Sequence, residues 1–531
     1  MLVKILSLGV VMAVLPVLVF AETNQKTQAK PLSSKSLKAD VYVLIDDGDL
    51  AGNEATRARP YWMVPGQVTN VAALLYGRTP LECGLVSDTD WRRKPVLMVS
   101  LADQFKESGY HALFLGDWGM GLQAPYDPAG RGFDSFWLGV DEGERHLDEV
   151  ESAGSQSIDS VIQSLPKDRP CFCIIRQGRS SKAGKAMVDA LLAARSGHVG
   201  VLCKVTRKGF EFSVLGGGEM KLPKLSARAV WELAPELLSI AVGTGKVEKK
   251  AHLFYHQGAW PLTDSPEKYR HKGSVVLGEH FALVDGLNLF AVNEGMSIDK
   301  DRALDLGEHA DAHQQLLRAH SQWWQVARRA INDPRPFDVG GGGNHAVTRL
   351  TAMDWRPSRI VHADGSALAS EPMVALAKLT AIIRGLHEHE SYKQSFPAYS
   401  GSWSLNIKRP GRYKLTARLL PASVLSEKDR GLAKLLGGRA HFKLGQNEVQ
   451  LRIQQGAEAV SVLIDADAGI TDLECWFTGQ LSLERELGAF FVEVERMGDK
   501  KFNIEAKEAS GSLPSGKAPT EESENASQEN P

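Results

Sequence analysis

The sequence predicts an α/β domain with a mostly parallel central sheet, followed by a C-terminal β-sandwich domain. Short apolar strands alternate with helical segments in the first part, a pattern typical of a parallel sheet whose sites lie at the carboxyl ends of the strands. After a run of four glycines, short apolar segments between turn residues favour a sandwich. With 531 residues, the chain has room for two or three domains.

The first domain is placed at residues 40–339. Its first strand, residues 41–45, ends in two aspartates, and its last element is a helical pattern over 301–331. Between them we predict strands at 111–115, 171–175 and 199–205, and helices at 100–108 and 183–195.

A glycine run at 340–343 predicts a flexible hinge between the domains. The sandwich is placed at 344–497, with strand patterns at 403–407, 413–418, 460–464 and 490–494. The tail, 498–531, is rich in polar and charged residues with little to bury, so we expect it to be disordered.

The N-terminus has the features of a secretory signal over residues 1–21. Lys4 precedes an apolar run at 5–20, and small residues lead to a cleavage point after Ala21. The alternative is a membrane anchor, but the run is shorter than the ~20 residues that a span needs, and Pro16 interrupts it. We expect an exported protein, periplasmic or extracellular, with a polar spacer at 22–39 and no transmembrane span after cleavage.

Composition gives no sign of a nucleic-acid partner, because the net charge is -2 and no strongly basic stretch appears. The five cysteines are odd in number and lack metal-type spacing, so most are expected to be buried apolar residues. If one disulfide exists, we expect it between Cys203 and the segment 171–173, on runs that could be neighbouring strands.

Separated motifs occur along the chain in an order that is similar to that of secreted sulfatases. They are VLIDD at 43–47, LLYGRTP at 74–80, GY at 109–110, GDWGMG at 116–121, GRGFDSF at 130–136, LVDG at 283–286, LF at 289–290 and WW at 323–324. Segments 347–355, 401–413 and 488–496 resemble the sandwich domain appended to some bacterial sulfatases. The chain thus resembles a divergent bacterial member of the arylsulfatase-like family, which implies an alkaline-phosphatase-like fold.

The residues that carry sulfatase chemistry are changed. The resemblance places Gln67 at the position of the nucleophilic cysteine, and Gln cannot form the aldehyde hydrate that attacks the ester. Asp117 and Gly119 stand where the family has sulfate-binding Lys and His, whereas Arg78 remains family-like. Loss of one oxyanion contact costs ~10² to 10³ in rate, and loss of a nucleophile up to ~10⁶.

The metal site is also altered. Asp46 and Asp47 match the first metal-binding pair, but Arg207 and Lys208 align with the second, so two ligands have become cations. Two carboxylates alone hold Ca²⁺ poorly, and we expect the two cations to replace the metal charge. No cofactor is expected, and Ca²⁺ only if the chain is an active hydrolase.

These observations favour a catalytically degenerate pseudo-sulfatase that binds a glycan, sulfated or not, or a protein partner. One alternative is an active sulfuric or phosphate ester hydrolase with a diverged site, in which Thr69 replaces the nucleophile. Another is a structural cell-surface protein. Whether the protein is an enzyme stays open at this point.

Overall fold

The computed structural model of the chain describes residues 38–46, 67–87, 90–138, 157–177, 181–206, 209–216, 227–242, 250–261, 264–293, 298, 302–341, 346–357, 400–419, 433–480 and 486–499. The predicted signal, nearly all of the spacer and the tail beyond residue 499 lie outside this part of the chain.

A six-stranded sheet forms the centre of the first part. Its strands are β1 (Asp40–Asp46), β2 (His111–Gly116), β3 (Ser135–Leu138), β4 (Cys171–Gln177), β5 (Gly200–Thr206) and β6 (Gly209–Leu215). Their order is β3-β2-β4-β1-β5-β6, and β6 alone runs antiparallel, on the edge. The predicted α/β class with a mostly parallel sheet is confirmed.

Helices cover both faces of this sheet. They are α1 (Gln67–Tyr76), α2 (Leu101–Glu107), α3 (Ile158–Gln163), α4 (Ser181–Ala194) and α5 (Leu233–Val242). Because side chains alternate along a strand, Val43 joins the core beneath α1, α2 and α5, whereas Leu44 joins the core beneath α3 and α4. Ser100 caps α2 through a reciprocal capping box with Asp103.

A buried ion pair joins three of these elements at the start of β1. Asp40 is fully buried, and the Arg195 guanidinium donates to both of its carboxylate oxygens at 3.0 and 2.9 Å. The carboxylate also accepts from the Tyr42 hydroxyl at 2.8 Å and the Cys171 backbone N–H at 2.7 Å. All the bonds that the charge requires are thus made inside the protein.

A second, antiparallel sheet was not predicted. It contains β7 (Leu253–His256), β8 (Ser274–Leu277), β9 (Phe281–Val284) and β10 (Asn288–Ala291), in the order β10-β9-β8-β7. Helix α6 (Ala310–Asn332) packs against it, with Leu316 in a common core with Val276 and Leu283. The helix begins nine residues after the predicted start. None of the helices in the described ranges is both long and apolar enough to cross a membrane.

The C-terminal part is a β-sandwich, as predicted. One sheet has the order β11-β14-β19-β16-β17, with β13 on β14 and β20 on β19, and the other has the order β12-β21-β15-β18. The strands are β11 (Phe337–Val339), β12 (Val347–Thr351), β13 (Arg356–Pro357), β14 (Gly401–Ile407), β15 (Gly411–Arg418), β16 (Arg439–Leu444), β17 (Asn447–Arg452), β18 (Val460–Ala466), β19 (Gly469–Thr478), β20 (Leu487–Gly488) and β21 (Phe491–Gly498).

The glycine run at 340–343 directly follows a strand of the sandwich. This strand is β11, which ends at Val339. Gly340 is buried with φ +75°, and a Cβ there would lie 2.3 Å from the Tyr413 hydroxyl. At this position glycine is required by packing rather than by flexibility. Gly342 and Gly343 lie outside the described residues.

The cysteines are all buried and unpaired in the described chain. The conditional disulfide between Cys203 and the segment 171–173 is wrong, because β1 lies between β4 and β5 and separates the two runs. Burial raises the pKa of every one of these thiols. They are small core residues, as the composition indicated.

Buried charges also connect the α/β part to the sandwich. Lys94 and Arg93 both lie against the Asp354 carboxylate, and all three side chains are buried. The Lys94 ammonium also lies 4.4 Å from the centroid of the Phe337 ring, and Tyr126 packs into the sandwich core beside that ring. The two parts therefore share a packed, charge-compensated contact.

This contact gives the first prediction. Asp354→Asn removes the carboxylate that Lys94 and Arg93 share, and we expect a loss of ~3–5 kcal/mol in the free energy of unfolding. Asp264→Asn is the matched control, because its partner Lys268 is exposed and solvent screens such a pair, so the stability should stay nearly unchanged. Urea denaturation of the full chain measures both. Equal losses in the two variants would contradict a central role for the buried contact.

Two histidines, His256 and His320, lie against the tryptophans of α6, and a third, His271, lies against His320. His320 is buried, and its ring centroid lies 4.7 Å from that of His271. Burial lowers the pKa of His320 to about 3, and the neighbouring His271 and Arg270 act in the same direction. Burial also lowers the pKa values of His256 and His271. The folded protein thus holds these rings neutral.

The second prediction concerns acid. A lowered histidine pKa means that the unfolded chain binds protons more readily, so the stability is complete above pH ~6.5 and declines as the pH falls toward the folded-state value. We expect each ring to add up to ~1.4 kcal/mol per pH unit to this decline. His320→Phe should flatten the unfolding free energy between pH 7 and pH 4.5. The exposed His280→Phe is the control, and an equal flattening there would refute the assignment.

Candidate functional site

The sheet-end site is defined by the residues that end the parallel strands: Asp46 on β1, Asp117 after β2, Arg176 on β4 and Thr206 on β5. The carboxyl ends of parallel strands meet at one edge of the sheet. The side chain of Asp46 lies outside the described atoms, as do Asp47, Arg207 and Lys208. The metal role of the first pair and the charge-replacing role of the second stay predictions.

Asp117 is held by a cation that sequence reasoning missed. Strands β2 and β4 pair Gly116 with Arg176, and the guanidinium of Arg176 lies 3.4 Å from Asp117 Oδ2. The guanidinium also donates to the Asp117 carbonyl at 3.1 Å. The Arg176 side chain is 1% exposed. A signal was present in the sequence, because this arginine follows the otherwise apolar strand segment CFCII.

The Asp117–Arg176 pair limits how Asp117 can interact with a ligand. The fixed guanidinium offsets the carboxylate, so Asp117 has little net attraction left for a cation. Asp117 Oδ1 is buried without a hydrogen-bond partner among the described residues. Ca²⁺ takes 6–8 oxygen ligands, and the side chains of Asp46 and Asp47 lie outside the described atoms, so the expectation that no cofactor binds here stays a prediction.

The nucleophile position lies at the start of α1. Gln67 is the first residue of that helix, and its side chain is outside the described atoms. Thr69, two residues further, is buried and lines a cavity of about 60 Å³ with Pro80 and His256. A cavity of that size has room for a few water molecules.

His256 is not available as a base for Thr69. Its Nε2 lies 2.7 Å from the Tyr269 carbonyl, and its Nδ1 accepts from the Gly258 N–H at 2.9 Å. Both ring nitrogens are thus engaged by the backbone.

Arg78 and Gly119 are the other two residues that the sequence motifs placed at the site. Arg78 is exposed just after α1. Gly119 has φ +68°, a conformation that glycine adopts without strain. Among the described residues, no hydrogen bond joins Arg78 or Gly119 to the Asp117–Arg176 pair.

Several residues of the sulfatase-like motifs have structural roles. The Trp118 indole donates to the Tyr126 carbonyl at 2.8 Å and packs edge-on against Phe133. Asp134 accepts from the Ala112 backbone N–H at 3.0 Å, and a Cβ on Gly132 would lie 2.5 Å from a carboxylate oxygen of α2. These motif residues stabilise the fold, so their presence does not imply a working active site.

Comparison with known proteins gives matches in structure only. No family model matches the chain, and no curated protein matches it. Solved structures that match include Ps i-CgsB in complex with k-i-k-neocarrahexaose, at 14% identity and a TM-score of 0.36, covering 56% of this chain and 94% of that chain.

Two further matches have similar coverage. The PsFucS1 sulfatase from Pseudoalteromonas sp. is 12% identical with a TM-score of 0.33, covering 56% of this chain and 92% of that chain. A protein in the alkaline phosphatase superfamily from Vibrio parahaemolyticus is 13% identical with a TM-score of 0.30, covering 56% and 89% respectively. Each of these structures matches only about half of this chain.

The third prediction tests the Asp117–Arg176 pair. Arg176→Met leaves the partly buried Asp117 carboxylate without its counter-charge, so we expect the free energy of unfolding to fall by ~3–5 kcal/mol. Arg329→Met, an exposed position on α6, should change it by less than ~0.5 kcal/mol. Chemical denaturation of both variants provides the test. A loss in Arg176→Met no larger than in Arg329→Met would show that the pair is not structural.

Proposed function

We propose that this protein is an exported, catalytically degenerate relative of the sulfatases that binds a glycan or a protein partner instead of cleaving a sulfate ester. The observation that carries the proposal is the Asp117–Arg176 ion pair at the sheet end. In the motif that Asp117 belongs to, the family has a lysine that binds the sulfate. Here the position carries a carboxylate, and the nearby cation is buried against it.

The residue at the start of α1 supports the same conclusion. Gln67 offers no thiol or hydroxyl, and sulfatase chemistry needs a nucleophile as well as stabilisation of negative charge on the leaving oxygen. The buried Thr69 lines a small cavity with His256, and both ring nitrogens of His256 bond to backbone groups. An active hydrolase would therefore need a different set of reacting groups.

The fourth prediction is that the protein does not hydrolyse sulfate esters. The full chain, co-expressed with the enzyme that matures sulfatase cysteines, should release no 4-nitrophenol from 4-nitrophenyl sulfate or 4-nitrophenyl phosphate above a heat-denatured control. Absorbance of the released phenolate measures this. Turnover that disappears in Asp46→Ala would contradict the proposal, because it would mean that the first metal-binding position still works.

A further inference from the structure

A groove separate from the sheet-end site lies between β7 and α6. It has a volume of about 670 Å³, within the ~300–1,000 Å³ typical of ligand pockets. Helix α6 supplies one wall through residues three and four apart, which share one helix face. The other wall comes from the start of β7 and from Glu82.

Aromatic rings form an apolar part of the groove. Phe254 of β7 is half-buried, and its ring is parallel to that of Trp323 at a centroid distance of 5.4 Å. The Trp323 indole donates to the Thr79 hydroxyl at 3.0 Å, which fixes the ring. His252 lies beside Phe254, with the two centroids 6.3 Å apart. Trp323 is buried and stacks on Phe254, so the half-buried rings of Phe254 and His252 supply the apolar surface that a weakly polar ligand face can contact.

The rest of the groove lining is polar and carries both hydrogen-bond donors and acceptors. Gln315, Arg318 and Gln322 project from exposed positions of α6, and Asp311 lies at the start of that helix. The Glu82 carboxylate is oriented by bonds from the Thr79 N–H and hydroxyl, at 3.0 and 2.7 Å. Amide side chains both donate and accept, whereas the carboxylates only accept and the guanidinium only donates.

The charges of the groove limit the class of ligand. Two carboxylates, Glu82 and Asp311, oppose one guanidinium, Arg318. Burial, together with nearby Arg228, lowers the pKa of His252, so this ring adds no positive charge at neutral pH. A phosphate or a polysulfated chain would meet net repulsion, and a purely apolar partner would bury carboxylates without compensation.

We propose that the groove binds a neutral oligosaccharide. Each sugar hydroxyl can donate one hydrogen bond and accept two, which matches a wall of mixed donors and acceptors, and the C–H face of a sugar ring suits the aromatic surface. This site is distinct from the sheet end. The inference rests on the proposed binding role of the chain but not on its loss of hydrolysis.

The test uses two glutamines inside the groove and two on the same helix outside it. Gln315→Ala and Gln322→Ala remove groove amides, whereas the exposed Gln314→Ala and Gln325→Ala do not line the groove. Calorimetric titration of the full chain uses cellohexaose, mannohexaose, xylohexaose, κ-neocarrahexaose and the chemically desulfated form of κ-neocarrahexaose. Melting temperatures of the four variants verify that each one is folded.

We expect at least one neutral hexasaccharide to bind, with each groove variant about five- to tenfold weaker and each control within about twofold of the native chain. The desulfated hexasaccharide should bind better than its sulfated form. The inference is overturned if no neutral hexasaccharide binds, if the sulfated form binds better, or if groove and control variants weaken equally. Turnover of 4-nitrophenyl sulfate would instead overturn the proposed loss of catalysis, so the two failures are distinguishable.

Discussion

The architecture of the α/β part depends on the ion pair between Asp40 and Arg195. Asp40 opens the central strand, and its carboxylate receives bonds from Arg195 just after α4, from the start of β4 and from its own strand. A carboxylate without these partners would be too costly to bury, so the pair holds β1 and β4 in one register. That register brings Asp46 and Arg176 to the same edge of the sheet.

Much of the fold could be predicted from the sequence because its signals were local. The apolar segment VYVLI identified β1, Ser100 marked the start of α2, and turn residues separated the sandwich strands. The antiparallel sheet of β7–β10 was missed, since its strands have four residues each and carry little periodicity. The early part of the predicted last helix contains Gly307, which disfavours helix and moves its start to Ala310.

The site was less predictable for a different reason. Motif alignment identified Asp117 as a changed residue, but its partner Arg176 lies on a strand that is adjacent in space and distant in sequence. Likewise, the groove between β7 and α6 joins residues from three separate segments, none of which forms a motif alone. Side-chain pairing across elements depends on register, and register is not a local property of the sequence.

The contact between Lys94 and Asp354 also affects how the chain folds while it is being made. The two residues are 260 positions apart, so at ~5–20 residues per second Lys94 leaves the ribosome roughly 10–50 s before its carboxylate partner. During that interval the α/β part cannot close its contact with the sandwich. Until then the apolar surface around Tyr126 is not covered by the sandwich, and exposed surface of this kind makes a partly made chain prone to aggregation.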